Sequence, residues 1–331
     1  MKGVASRWLV PTLIATLTLL SAASLLAGSV WLAPGTVVSA LADPAPSLAR
    51  LLILEVRLPR LVLALLVGGI LGLSGAVLQG LLRNPLAEPG LLGASSGASL
   101  GAVIALYYGF SASLALAVPL FGLVGALAAV GVAMALSRNG GTLSLVLAGV
   151  AVSTLAGAGI SLALNLAPNP YAAYEIMTWL MGSLADRSWD HVVLAAPFVI
   201  VGAGLLLLTG RALDALALGE RQAESLGIDV NRTRLLALAG TALGVGAATA
   251  VTGAIGFVGL IAPHLVRPLL GHRPGAALVP SALAGAAIVL VADLATRLLP
   301  GQTELRLGVL VSAVGAPFFL WLVLHVRRTG A

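Results

Sequence analysis

One carboxylate in the sequence is placed where it could carry a proton or hold an ion. Asp293 lies within a long apolar stretch, and Arg297 follows four residues later. Residues four apart share one face of a helix, so this spacing predicts an ion pair near the end of that helix. Acids inside membrane helices also serve as proton or ion sites, which would make Asp293 the centre of a proton-coupled carrier. Both interpretations are open at this point.

The sequence lacks the motifs for nucleotide binding and for metal or thiol chemistry. Lys2 is the only lysine, so the chain has no G-x-x-x-x-G-K-[ST] loop for nucleotide phosphates. There is no cysteine, and the histidines are scattered without H-E-x-x-H or another metal-ligand spacing. The four are His191, His264, His272 and His325. We therefore expect no catalytic residue, no metal site and no cofactor in this chain, and we do not expect an enzyme.

Charge is concentrated in residues 216–234, "LALGERQAESLGIDVNRTR", although only 9% of the chain is charged. The spacing from Leu216 to Leu226 predicts a short amphipathic helix, closed by Gly227 as a C-cap. One face of this helix would carry Leu216, Gly219, Ala223 and Leu226. Acids among its charges fit an anionic membrane surface poorly. A face of small residues with a charged rim is better suited to a groove on another protein.

The elements around these residues are apolar helices. Hydrophobic residues make up 59% of the 331 residues, and mean hydropathy is +1.07. Since about 20 apolar residues cross a bilayer, the charge-free runs predict an all-α, polytopic integral membrane protein. We treat 1–331 as a single transmembrane domain with a cytoplasmic segment at about 214–230. The ten predicted spans are about 8–32, 61–82, 91–107, 112–136, 142–165, 191–211, 235–253, 257–271, 275–297 and 306–327; the eighth is the shortest.

Ten spans place both termini on the same side of the membrane. Twelve of the 18 basic residues then lie on that side and six on the other. The positive-inside rule therefore predicts cytoplasmic termini. The net charge of +6 suits anionic lipid headgroups rather than nucleic acid, because the arginines sit at helix ends. Arg57 and Arg60 form an external cluster against this rule.

Small residues recur at spacings of four in several spans, which lets helix backbones approach closely in lipid. They are Gly68 and Gly72, Gly93, Gly97 and Gly101, and Gly240 and Gly244. Ser95, Ser96 and Ser99 add uncharged polar groups to the third span. We expect these serines to line a pathway.

Six segments in order resemble the permease subunits of bacterial ABC importers for iron chelates, haem and vitamin B12. The resemblance extends from about Val56 to Leu324, and its segments include "LGERQAESLGID" and "GFVGLIAPHLVRPLLGHR". The six segments are 57–98, 145–153, 218–229, 256–273, 281–297 and 304–323. Arg306 departs from the family, which more often has an apolar residue or proline there. The resemblance implies the fold of a type II ABC importer permease.

The same resemblance implies partners and residue roles. A second copy of the chain, two ATP-binding subunits that hold ATP and Mg²⁺, and one periplasmic substrate-binding protein would complete the importer. The implied contacts to the ATPase are Leu218, Gly219, Glu220, Ala223, Leu226 and Gly227. Arg57, Arg60 and Arg297 would pair with acids on the binding protein; the alternative for the first two is lipid binding or helix capping. The implied cytoplasmic gate comprises Asn84, Leu86, Thr142 and Ser144.

The cargo is the least determined feature. Overall length and the loop at 169–184, "NPYAAYEIMTWLMGSL", are most similar to haem permeases, so haem is the first expectation. A ferric siderophore comes second and cobalamin third. The chain would lie in the bacterial inner membrane. The alternatives from other classes are a proton-coupled secondary carrier that uses Asp293 and a membrane scaffold that transports nothing.

Overall fold

The computed structural model describes residues 2–28, 30–43, 45, 47–114, 116–138, 140–299 and 305–329. All regular structure in these ranges is helical. The ten main apolar helices are α1 (Lys2–Leu26), α2 (Leu58–Leu81), α3 (Ala94–Tyr107), α4 (Ala117–Leu136), α5 (Thr142–Asn165), α6 (Trp189–Leu207), α7 (Val230–Thr252), α8 (Val258–Val266), α9 (Pro274–Leu298) and α10 (Leu307–Thr329). Shorter helices between them are Pro34–Ala42, Leu48–Leu51, Leu52–Arg57, Pro89–Leu92, Phe110–Ser113, Pro170–Leu180, Gly210–Leu216, Glu220–Ser225 and Arg267–Leu270.

These helices confirm the predicted all-α membrane fold and match each predicted span. Eight helical segments of the described chain are long and apolar enough to cross a membrane. The two shorter ones are α3, with 14 residues, and α8, with 9 residues. The span predicted to be shortest is therefore α8.

Helices α3 and α8 are short because each begins within the bundle after a stretch of irregular backbone. Before α3, the chain passes through a 3-10 turn at Pro89–Leu92 and reaches Gly93 with a φ of +81°. Before α8, Phe257 has a φ of +64°. A Cβ added to Gly259, at the start of α8, would lie 2.7 Å from Cδ of Pro89 and 3.0 Å from the Leu71 carbonyl oxygen. The two breaks thus meet beside the middle of α2.

Helix α2 lies at the centre and packs against α6, α7, α8 and α9. Its close approach to α9 depends on Gly68 and Gly72. A Cβ at these positions would lie 2.4 Å from the carbonyl oxygen of Gly285 and 2.1 Å from that of Ser281, respectively. Since carbon and oxygen atoms cannot approach so closely, only glycine fits. The predicted role of these two glycines in close helix packing is confirmed.

The same packing joins the other helix pairs. In α3, Cβ atoms at Gly97 and Gly101 would lie within 2.5 Å of backbone oxygens in α4. In α7, a Cβ at Gly240 would lie 2.8 Å from the backbone oxygen of Gly202 in α6. Burial alone drives helices together weakly in lipid, so these backbone contacts supply much of the association.

We predict that Gly75→Ala destabilises the bundle. The added Cβ would lie 1.9 Å from the Gly259 carbonyl oxygen, so α2 and α8 must move apart. Overpacking of this kind costs about 1–3 kcal/mol. The change is measured as a lower midpoint of thermal unfolding of the purified chain in detergent. The matched control is Gly157→Ala in α5, where a Cβ meets nothing within 4 Å. An equal fall in both variants would contradict the packing argument.

Candidate functional site

The charged segment between α6 and α7 is divided by two glycines into short pieces. Helix Gly210–Leu216 ends before Gly219, which has a φ of +115°, and a second helix covers Glu220–Ser225. Gly227 follows with a φ of +82°. Residues other than glycine rarely adopt positive φ angles such as these. The prediction of one helix from Leu216 to Leu226 was wrong, because the backbone at Gly219 cannot continue a right-handed helix.

The break also separates the apolar face that helical spacing predicted. Leu216 and Ala223 are buried against the bundle. Leu218 and Leu226 instead point away from it, with 65% and 64% of their surfaces exposed. Both leucines lie outside the long apolar helices, in the charged segment between α6 and α7. We call Leu218, Leu226 and the helix Glu220–Ser225 the coupling surface.

Glu220 ties the coupling surface to two of the long helices. Its Oε1 accepts a hydrogen bond from Oγ1 of Thr142, at the start of α5, over 3.1 Å. The same oxygen accepts from Nη2 of Arg234, in α7, over 2.8 Å. Asp229 caps α7 by accepting from the backbone N–H of Arg232 over 2.9 Å. The short helix is therefore bonded directly to residues near the starts of α5 and α7.

The predicted gate residues lie at the same end of the bundle. Oδ1 of Asn84 accepts from the backbone N–H of Leu86 over 2.9 Å, which fixes a turn directly after α2. Asn84 is exposed, while Leu86 and Ser144 are half-buried. Ala87 in the same loop belongs to one hydrophobic cluster with Leu145 of α5. The structure therefore brings the loop after α2 and the start of α5 together, with Thr142 linked to Glu220.

The three serines of α3 differ in their surroundings. Oγ of Ser95 accepts from Oγ1 of Thr249, in α7, at 3.4 Å. Ser96 is half-buried, and Ser99 is only 5% exposed within the bundle. Ser99 therefore does not line an open pathway in this conformation, because α3 packs tightly on its neighbours. Ser95 faces a small cavity of about 90 Å³ at the two helix breaks, shared with Glu88 and Phe257.

At the opposite end of the bundle, two arginines enclose Asp293. The Asp293 carboxylate is fully buried; its Oδ1 accepts from Nε of Arg60 over 2.8 Å, and its Oδ2 accepts from Nη2 of Arg297. Arg297 also donates from Nη2 to Oγ of Ser24 over 2.6 Å. The predicted ion pair between Asp293 and Arg297 is confirmed. It is part of a larger cluster that joins α1, α2 and α9.

Arg57, Arg60 and Arg297 were expected to form an exposed basic cluster, but the structure buries most of each side chain. Arg57 is 4% exposed and donates from Nη1 to the Leu25 carbonyl oxygen over 2.6 Å and from Nη2 to the Val30 carbonyl oxygen. The side chains of Arg60 and Arg297 are 12% and 7% exposed. Acceptors within the chain hold all three guanidinium groups, so docking through them requires that these bonds exchange.

Comparison with known proteins identifies the family. The model of the FecCD transport family matches residues 16–325.

The chain belongs to the FecCD transport family.

Relatives of this FecCD chain are named for different transported compounds. The hemin transport system permease protein HmuU of Yersinia pestis is 41% identical over 285 residues, 83% of this chain and 84% of the relative. The vitamin B12 import system permease protein BtuC of Vibrio cholerae is 42% identical over 306 residues, 91% and 89% of the two chains. The Fe(3+) dicitrate transport system permease protein FecD of Escherichia coli is 40% identical over 279 residues, 83% and 86% of the two chains.

A solved ABC transporter assigned to the metal-chelate type, in an inward-facing conformation, shares the fold. It superposes with a TM-score of 0.83 at 31% identity and covers 96% of this chain and 99% of its own. The FecCD chain is thus the membrane permease subunit of an ABC importer, a transport component and not an enzyme.

Sequence reasoning missed two charged residues of this FecCD chain. Glu88 reaches the cavity between the two helix breaks, although the charge-free runs on either side gave it no role. Arg187 lies before α6, and its Nε is buried without a hydrogen-bond partner among the described residues. Burial lowers the pKa of the Arg187 guanidinium; Asp186 opposes this shift and Arg306 adds to it. Arg187 is buried because it lies between helices that are distant in the sequence. Sequence spacing does not show this position.

Proposed function

We propose that this permease moves an iron chelate from a periplasmic binding protein into the cytoplasm by alternating access, driven by ATP. The observation that carries this proposal is the coupling surface. Leu218 and Leu226 are exposed next to Glu220, whose carboxylate is bonded to α5 and α7. A soluble ATPase that buries these leucines and shifts their helix would move both long helices.

The assembly we propose contains two copies of this chain, two ATP-binding subunits and one periplasmic binding protein. ATP and Mg²⁺ would be held by the ATP-binding subunits, and this chain would need no cofactor. Asn84, Leu86, Thr142 and Ser144 would form the cytoplasmic gate. Ser95 and Ser96 would face the pathway, while Ser99 would join them only after α3 moves. The chain would lie in the inner membrane with both termini cytoplasmic, as the distribution of arginines favours.

Haem is the cargo we propose first, followed by a ferric siderophore and then cobalamin. Relatives named for hemin, vitamin B12 and ferric dicitrate match at 41%, 42% and 40% identity, so identity does not favour any of the three. The order rests on the similarity of overall length and of the segment 169–184 to haem permeases; this segment was expected to be a loop, but the helix Pro170–Leu180 occupies most of it. The binding protein would select the chelate, so no histidine or tyrosine of this chain needs to ligate iron.

Docking of the binding protein is proposed at Arg57, Arg60 and Arg297. Acidic side chains on the partner would replace the acceptors that these arginines use within the chain. For Arg60 and Arg297, the acceptor to be replaced is Asp293. Once these bonds have exchanged, the complementary charges of the arginines and the acidic partner would set the orientation of the bound protein. This exchange would let the permease register the arrival of a loaded binding protein.

Purification of the tagged chain from native membranes in mild detergent tests the proposal. We expect a stoichiometric partner that carries a G-x-x-x-x-G-K-[ST] loop, and uptake that requires ATP when the complex and its binding protein are placed in vesicles. Haem, a ferric siderophore and cobalamin are then compared as cargo. Recovery of the chain alone, with ATP-independent uptake that is lost in an Asp293→Asn variant as stable as the original chain, would contradict the proposal and support the proton-coupled carrier.

A further inference from the structure

A cavity of about 350 Å³ opens where α4 ends and where α5 and α7 begin, beside the coupling surface. We call it the headgroup cavity. Its floor is apolar and its rim is polar and basic. The buried or half-buried floor consists of Met134, Leu145 and Leu238, and the rim includes Ser137, Arg138, Asn231 and Arg234, with Leu235 51% exposed beside them.

The two arginines on the rim differ in their bonding. Arg234 shares Oε1 of Glu220 with Thr142, so one carboxylate already faces it. The side chain of Arg138 makes no hydrogen bond or ion pair with any described residue. Glu220 is the one acid bonded to this rim within the described ranges, which leaves Arg138 without a counter-charge. The headgroup cavity therefore has a net positive charge.

Apolar surface continues from the headgroup cavity along α4. On α4, Val132 and Leu136 are 50% and 63% exposed. A basic recess at a helix end, continuous with an exposed apolar face, matches the shape and polarity of a phospholipid. Basic pockets between membrane helices on the cytoplasmic side bind anionic headgroups.

We propose that the headgroup cavity binds an anionic phospholipid. Its phosphate contacts Arg138, with Arg234 and Asn231 as further donors, and its acyl chains lie along α4. The contact with Arg234 gives the lipid a second effect. Phosphate oxygens and the Glu220 carboxylate are acceptors for the same guanidinium, so a bound lipid changes how firmly the coupling surface is held. This regulatory effect rests on the proposed function, whereas lipid binding itself does not.

Native mass spectrometry of the full chain, alone and with its ATPase, tests the site with phosphatidylglycerol and phosphatidylcholine as probes. We expect preferential retention of phosphatidylglycerol. Arg138→Gln should weaken it about fivefold, since one arginine near an anionic surface contributes about 1 kcal/mol. Arg138→Lys keeps the charge and should retain most of the binding. The matched control is Arg211→Gln, another exposed arginine at this end of the bundle.

Four outcomes would overturn the proposal. Equal retention of the two lipids would show that no anionic group is selected. Equal losses in the Arg138 and Arg211 variants would show general surface attraction. Displacement of phosphatidylglycerol by millimolar inorganic phosphate would show a site for free anions rather than for lipid. Binding to the chain alone but not to the assembled complex would show that the ATPase occupies the cavity. None of these readouts requires ATP, so a failure of the importer proposal remains a separate result.

Discussion

Replacement of Leu226 by glutamate is expected to abolish capture of the ATPase and ATP-driven uptake. Leu226 is 64% exposed on the coupling surface, so the variant keeps the contacts of its own bundle. In the assembled importer this leucine would be buried, and full burial of a leucine contributes about 1.5–3 kcal/mol. An unpaired carboxylate in the same interface adds a desolvation cost. Together these effects predict that affinity for the ATPase falls at least about a hundredfold.

The measurement is a titration of the purified ATPase onto permease reconstituted in nanodiscs, paired with uptake in vesicles. Leu226→Met is the matched control, because it keeps an apolar side chain of similar volume and should bind nearly as well as the original chain. The midpoint of thermal unfolding of the Leu226→Glu permease alone should stay unchanged. Normal ATPase binding by this folded variant would show that the ATPase binds elsewhere.

The spans of this fold could be predicted because a bilayer imposes a simple length requirement on charge-free sequence. The charge-free run also predicted α8, as the shortest of the ten spans. The close helix pairs followed from glycines four apart, such as Gly68 and Gly72. These features depend on local composition, and local composition is what a sequence shows directly.

The direction in which a charged side chain points depends on distant residues and could not be predicted. The i,i+4 spacing indicated the pair of Asp293 and Arg297, but Arg60 is 233 residues away from Asp293. Its position opposite the carboxylate results from the packing of α2 on α9. The same limit applies to Thr142 and Glu220, for which the family resemblance implies roles in a gate and in a coupling helix. One hydrogen bond joins the two sites.

The break at Gly219 has a related cause. Helical spacing placed Leu216 and Leu226 on one face, and the pattern is compatible with a continuous helix. The segment must, however, turn beneath the bundle between α6 and α7, and the glycine with a φ of +115° provides that turn. The turn exposes Leu218 and Leu226 instead of burying them. The tertiary path of the chain thus creates the coupling surface.

The buried cluster around Asp293 yields the second large effect. Asp293→Asn is expected to destabilise the permease by about 3–5 kcal/mol, because it removes the charge of a buried carboxylate to which two mostly buried arginines are bonded. The carboxylate is fully buried, and its partners Arg60 and Arg297 are only 12% and 7% exposed. Little water can therefore reach the two guanidinium groups to compensate for the lost carboxylate charge. The measurement is thermal unfolding of the purified chain in detergent, with Asp190→Asn at the exposed start of α6 as control.

A triple variant separates a structural role of this cluster from a proton-carrying role. Arg60→Leu, Asp293→Leu and Arg297→Leu together remove the three charges that are bonded to one another, and apolar replacement of a buried ion cluster is often neutral or stabilising. We expect the triple variant to unfold at a higher temperature than Asp293→Asn. A proton site predicts a different pattern, in which Asp293→Asn is as stable as the original chain but uptake is lost. Since both arginines bond to the carboxylate, its charge contributes to the folded state in the geometry described here, and stability is the property that its removal should change first.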